Sequence, residues 1–164
     1  MAKWYAMGML KENDKAPLSV ALTDASGAIV SLAHHKGEVV VLYFYPKDDT
    51  PGCTVEAKAF EDYSSQFKKL GVTVIGVSKD TEKSHQKFAG KYDLSFQLWS
   101  DVDQKLIDAF GVWQLKKFMG REYMGIVRAT FIIDGKGTIV KVFPDVSPKA
   151  HGEEVYKFLK DFLK

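Results

Sequence analysis

The period of the apolar positions changes several times along the chain, and each change marks an element. Val39 to Tyr45 is a continuous apolar run rich in β-branched and aromatic residues. It is too short for a buried helix and predicts a central strand covered on both faces. Pro46, which has no N–H to give to a ladder, ends it. Beyond it, Val55, Ala59, Phe60, Tyr63, Phe67 and Leu70 recur at helical steps. They predict one helix with Thr50 at its N-cap, Pro51 in its first turn and Gly71 as its stop. Val72 to Ser78 is a second β-branched run, so strand, helix and strand form a βαβ unit.

Upstream, Ala16 to Leu22 and Ala28 to Leu32 alternate on either side of Thr23-Asp24-Ala25-Ser26-Gly27, which predicts an N-terminal β-hairpin. Downstream, Asp80 or Thr81 caps a helix reaching about Tyr92, Phe96 to Trp99 suits a short strand, and a helix runs from near Asp101 to Gly111. Val127 to Asp134 and Thr138 to Phe143 are strands joined through Asp134-Gly135-Lys136-Gly137, and a last helix begins near Lys149. Gln114 to Gly125 has no clear period and reads as a loop or irregular hairpin. The order predicts an α/β chain with a central mixed sheet flanked by helices. Residues 1–14 are expected to be an N-terminal extension, and residues 15–164 a single domain without repeats or linkers.

Composition narrows the function classes. Hydrophobic residues make up 46% and charged residues 27% of the 164, as in an ordinary globular protein. Twenty-three Lys and Arg against 21 Asp and Glu leave a net charge of +2. The basic residues fall in scattered pairs such as Lys68-Lys69 and Lys116-Lys117, read as solvated faces, so no nucleic-acid partner is expected. No apolar run approaches the roughly 18 residues of a membrane span, and Met1 to Leu10 lacks the h-region of a secretory signal. The expected address is cytoplasmic, with no membrane partner. A single Cys excludes an internal disulfide and a Cys-x-x-Cys motif, and His34 and His35, being adjacent, point apart. No metal and no cofactor is assigned.

That one Cys falls in the first turn of the predicted helix, at the carboxyl end of the predicted central strand. Unpaired N–H groups and the helix dipole there favour a thiolate, and open α/β sheets place ligands at such junctions. An inert core Cys would sit among apolar neighbours, whereas Cys53 follows Thr50-Pro51-Gly52.

Pro46, Thr50 and Cys53 form a Pro-x-x-x-Thr-x-x-Cys pattern. Together with Tyr-Phe-Tyr-Pro, Thr-Pro-Gly-Cys-Thr, Gly-Val-Trp at 111–113 and Gly-Ile-Val-Arg at 125–128, it resembles the bacterioferritin-comigratory (PrxQ) branch of the peroxiredoxins from about Lys15 onward. The resemblance implies a thioredoxin-like fold and a thiol-dependent peroxidase that reduces hydrogen peroxide and organic hydroperoxides through a sulfenic acid at Cys53. It also implies that Thr50 and the backbone N–H groups of Gly52 and Cys53 hold the peroxide, that Pro46 shields the pocket, and that Arg128 pairs with thiolate and peroxide. Glu56 lies one turn after Cys53 on the apolar face of the helical wheel, so it is the expected partner that orients Arg128. Trp113, Phe118, Met119, Tyr123 and Met124 are expected to pack the 114–125 segment onto the core rather than line a rim for bulky hydroperoxides.

Many PrxQ proteins carry a resolving Cys five residues after the peroxidatic one, and this chain has Lys58 there. A one-cysteine mechanism follows, with an external thiol, thioredoxin or glutaredoxin with glutathione, reducing the sulfenic acid. The chain is expected to act as a monomer. Two alternatives stay open: a peroxide sensor that uses the same Cys53, and a holdase-like thioredoxin-fold protein whose thiol reactivity is incidental.

Overall fold

The computed structural model describes residues 8–164. A seven-stranded mixed sheet is built from β1 (Leu22–Asp24), β2 (Ile29–Val30), β3 (Val39–Phe44), β4 (Val72–Ser78), β5 (Gln97–Ser100), β8 (Ala129–Ile133) and β9 (Ile139–Phe143). Its order is β2-β1-β5-β4-β3-β8-β9. The β3 strand, beside the middle strand β4, is interior to the sheet, with both faces covered and both edges paired, in parallel with β4 and antiparallel with β8. Alternation along it divides the interior. Val40, Leu42 and Phe44 face a core that includes Trp99, Leu106, Ile107, Phe110 and Phe131, while Val41, Tyr43 and Tyr45 face Cys53, Phe60, Phe67, Phe88, Val155 and Leu159.

On the second face pack α1 (Pro51–Asp62), α2 (Ser64–Lys69), α3 (Glu82–Tyr92) and α5 (His151–Phe162); α4 (Lys105–Phe110) packs on the first. The predicted helix over 50–70 is therefore two helices. It breaks at Tyr63 (φ −106°, ψ 11°), where the Tyr63 N–H tightens onto the Phe60 carbonyl at 3.1 Å. The break lets Tyr63 and Phe67 both reach Tyr156 of α5, at ring separations of 5.3 and 6.2 Å. Gly71, at φ +72°, ends α2. A Cβ at Gly152 would lie 2.1 Å from the Ala59 carbonyl oxygen, so the missing side chain is what lets α5 seat against α1.

Other boundaries follow local chemistry. The Thr81 hydroxyl accepts the Ser84 N–H to cap α3. Asp101 caps α4 from outside it, accepting N–H bonds from Lys105, Leu106 and Ile107 at 2.7–2.8 Å. The N-terminal hairpin is shorter than predicted, because Lys15 and Ala16 pair instead with Thr138 and Gly137 at the turn before β9. Of the expected extension, residues 1–7 lie outside the described residues. Gly8 to Asp14 run against α4 and β9, with Met9 buried, the Leu10 N–H bonded to the Phe110 carbonyl and the Asn13 N–H to the Ile139 carbonyl.

The 114–125 segment is a regular hairpin, β6 (Trp113–Phe118) and β7 (Arg121–Ile126), in register from Trp113↔Ile126 to Phe118↔Arg121. It forms a sheet of its own. The expectation that its apolar side chains pack onto the core is overturned for four of the five: Phe118, Met119, Tyr123 and Met124 are exposed, and only Trp113 packs against the core. The ladder between the strands pairs their facing backbone groups and Trp113 and Ile126 anchor the base, so the four side chains toward the tip need no burial.

Candidate active site

Register brings the site together. The β3 and β8 strands run antiparallel with Phe44 opposite Ala129, so the carboxyl end of β3, where the loop to α1 begins, meets the start of β8, where Arg128 stands. Thr50, Cys53 and Glu56 come from the loop and the first turns of α1, and Arg128 arrives from 75 residues further along the chain than Cys53. A Cβ built on Gly52 would stand 3.1 Å from Arg128 Nη2, so a residue without a side chain there gives the guanidinium its lane.

Both Arg128 Nη1 and Nη2 lie 3.5 Å from the Cys53 sulfur, and Nη1 donates to Glu56 Oε1 at 2.8 Å. Cys53 is only 2% exposed and Glu56 not at all. Burial pushes the Glu56 carboxyl up to about 7, even though Arg128 pulls the other way. Burial also works against the Arg128 charge, but Glu56 and then Cys53 outweigh it and raise Arg128 above its ordinary value. The guanidinium is therefore a fixed cation held in a fork between Glu56 and the sulfur, where it favours negative charge on whatever lies beside the sulfur. Glu56 Oε2 is buried with no hydrogen-bond partner among the described residues.

Thr50 occupies the N-cap position, yet its hydroxyl makes no capping bond to a helix N–H. It donates instead to the Lys47 carbonyl at 2.8 Å. With its own proton so engaged, Thr50 Oγ1 presents only acceptor lone pairs to a ligand. Pro46 is half-buried at the end of β3. The buried stripe of α1 is Cys53, Glu56, Ala57 and Phe60, and Val55, placed on the apolar face by its spacing, is 42% exposed.

Sequence reasoning missed three residues near this site. Asp48, within the loop, and His85, on α3, are both buried. Lys116, read as a solvated charge, is half-buried: its stem passes over Gly125 and its ammonium donates to the Ile126 carbonyl at 2.9 Å. Burial and then Arg128 lower its pKa, and Cys53 opposes them. The Gly-Ile-Val-Arg run held the one available signal, a glycine where a neighbouring stem must pass.

The AhpC/TSA family model matches residues 13–142, and the chain belongs to this family. It is 48% identical over 147 residues to peroxiredoxin Bcp of Bacillus subtilis strain 168, spanning 90% of this chain and 93% of that one. It is 43% identical over 155 residues to peroxiredoxin Bcp of Escherichia coli K12, spanning 94% and 99%. Among solved structures, the bacterioferritin comigratory protein of Xanthomonas campestris superposes with a TM-score of 0.87 at 36% identity, over 95% of this chain and 99% of that one. Xylella fastidiosa PrxQ gives a TM-score of 0.89 at 35% identity, over 95% and 98%. The fold is thus the thioredoxin-like peroxiredoxin fold, and the chain is a thiol-dependent peroxidase with a peroxide substrate and a thiol reductant. It has one cysteine. Among the described residues no helix is long and apolar enough to cross a membrane.

Proposed function

We propose that Cys53 is the peroxidatic nucleophile and that the chain reduces hydrogen peroxide and organic hydroperoxides in a one-cysteine cycle. The observation that carries this reading is the Arg128 fork, with two nitrogens 3.5 Å from the buried sulfur and the third contact on Glu56. The thiolate attacks the nearer peroxide oxygen, the O–O bond breaks, and the far oxygen leaves as hydroxide or alkoxide and takes a proton. Cys53 is left as a sulfenic acid. Thr50 accepts from the peroxide, the Gly52 and Cys53 N–H groups donate to it, Pro46 screens the pocket, and Glu56 aims Arg128. The reduction of alkyl peroxides named for the Xanthomonas campestris protein supports the organic substrate class.

With no second thiol in the chain, an external one completes the cycle, thioredoxin or glutaredoxin with glutathione. The chain acts as a cytoplasmic monomer, with residues 15–164 as its domain. The test is steady-state peroxide consumption with each reductant, alongside intact-mass analysis. Wild type should turn over and show one added oxygen after a single equivalent of peroxide, and Cys53→Ser should do neither while staying folded. Turnover in the Cys53→Ser variant would overturn the assignment, and oxidation without turnover with any reductant would favour a sensor.

A further inference from the structure

Beneath the loop that carries Pro46 and Thr50 lies a polar cluster that the chemistry at Cys53 does not use. Its centre is Asp48, 7% exposed. One carboxylate oxygen accepts from Tyr45 at 2.5 Å, and the other accepts from His85 Nδ1 and the Ser84 hydroxyl, both at 2.8 Å. His85 is wholly buried on α3, and its Nε2 faces the Trp99 carbonyl at 3.0 Å. Both of its ring nitrogens thus face oxygen partners, and the ring is held from both ends. Burial, then Tyr43 and Asp48, push the Tyr45 phenol well above its ordinary value, so it remains a donor. The Asp48 N–H donates in turn to Asp80 Oδ2 at 2.8 Å, which also accepts from Ser78 at 2.6 Å.

Ligand-type atoms of Asp48, Asp80 and His85 come within 4.8 Å of one another. Those of Asp48 and His85 are already engaged in hydrogen bonds, so the cluster is a closed tie and not a cation cage. It joins the end of β3, the loop, the end of β4, α3 and β5. What it fixes is specific: Asp48 follows Lys47, whose carbonyl receives the Thr50 hydroxyl. Asp49 comes next at φ +56°, a left-handed conformation that Asp tolerates, and its carboxylate is held only from the surface by Lys91 and Tyr92.

We propose that Asp48 is a positioning residue for the peroxidase reaction: gripped by His85, Tyr45 and Ser84, it fixes the Lys47 carbonyl that turns the Thr50 hydroxyl toward the peroxide. The proposal rests on the reading that Thr50 holds the peroxide. Misplacing a positioning group by about an ångström can cost up to about a hundredfold in rate. The grip sits on the peroxide side of the chemistry, not on the sulfur, so it leaves the intrinsic reactivity of Cys53 alone.

The experiment measures two rate constants on each variant: kcat/KM for hydrogen peroxide, and alkylation of Cys53 by iodoacetamide, which needs the thiolate but no peroxide pocket. Asp48→Ala should lower the first about tenfold and leave the second within about twofold. Asp48→Asn should keep most of the peroxide rate, since the amide oxygen can still accept from Tyr45 and its NH2 group can bond the Ser84 hydroxyl. In the Thr50→Val background, Asp48→Ala should cost nothing further, because the two act as one unit. An unchanged peroxide rate in Asp48→Ala, an equal fall in alkylation, or additivity with Thr50→Val would each overturn the proposal. If Thr50→Val alone is as fast as wild type, the role of Thr50 falls instead. Should Asp48→Ala not fold, Ser84→Ala carries the same test, with an expected loss of about twofold confined to the peroxide rate and absent in the Thr50→Val background.

Discussion

Glu56 is charged by nature and wholly buried; Met119 is apolar and 86% exposed. Each stands for its region. Beside and beneath Cys53, Glu56, Asp48 and His85 are out of water and depend on their partners, Glu56 on Arg128 and Asp48 on His85, while the half-buried Thr50 is oriented by the Lys47 carbonyl. In the β6–β7 hairpin the backbone ladder does the holding, and Phe118, Met119, Tyr123 and Met124 contribute little to the packing of the domain. The contrast teaches where substitutions will be felt. A buried polar group loses its desolvation compensation when its partner goes, whereas an exposed apolar one has little to lose.

Breaking the buried side should give the largest effect. Among the described residues Arg128 is the only cation bonded to the Cys53 sulfur, and with Arg128→Ala kcat/KM for peroxide should fall at least about a hundredfold. Stopped-flow oxidation of the reduced enzyme measures it. A fall of less than about threefold would mean that Arg128 does not act on the peroxide. Stability should suffer less than an orphaned buried charge would imply, since a carboxyl already raised to about 7 can take up a proton.

Glu56→Gln sharpens the comparison through pH. The folded-state value of about 7 lies above the ordinary 4.5, so the native state binds more protons than the unfolded state between those values. Stability from this group is fully present below about 4.5, declines as pH rises toward 7, and is level beyond it, a span of at most about 3 kcal/mol. Glu56→Gln should flatten that decline, so the variant gains on wild type between pH 5 and pH 8 in urea unfolding. An identical stability difference at both pH values would refute the ionisation of a buried Glu56.

The smallest effect belongs to the hairpin. Phe118→Ser and Met119→Ser should each change unfolding free energy by less than about 0.5 kcal/mol and leave hydrogen peroxide turnover at the wild-type rate. A loss above about 1 kcal/mol in denaturant titration would show that the tip is packed in solution.

By itself the sequence determined the elements whose causes are local. The β-branched runs of β3 and β4, the Asp-Gly-Lys-Gly turn before β9, the Thr81 cap of α3 and the glycine stops at Gly71 and Gly111 are written within a few residues of where they act. The Pro46, Thr50 and Cys53 spacing likewise lies in one continuous stretch, as does the helical step from Cys53 to Glu56. Tertiary structure decided what depends on distant partners. The helix over 50–70 breaks at Tyr63 because Tyr156, nearly a hundred residues later, offers a surface to both Tyr63 and Phe67. Val55 turns outward because the α1 face is rotated toward Arg128 and β3, where Glu56 is more strongly held than an isolated valine would be. Nothing near Asp48 in the chain announces His85, 37 residues on, and nothing in the polar α3 sequence marks that histidine as buried. Periodicity reports which side of an element faces a neighbour, but only the assembled sheet decides which neighbour it is, and a buried hydrogen bond exists only once both halves arrive.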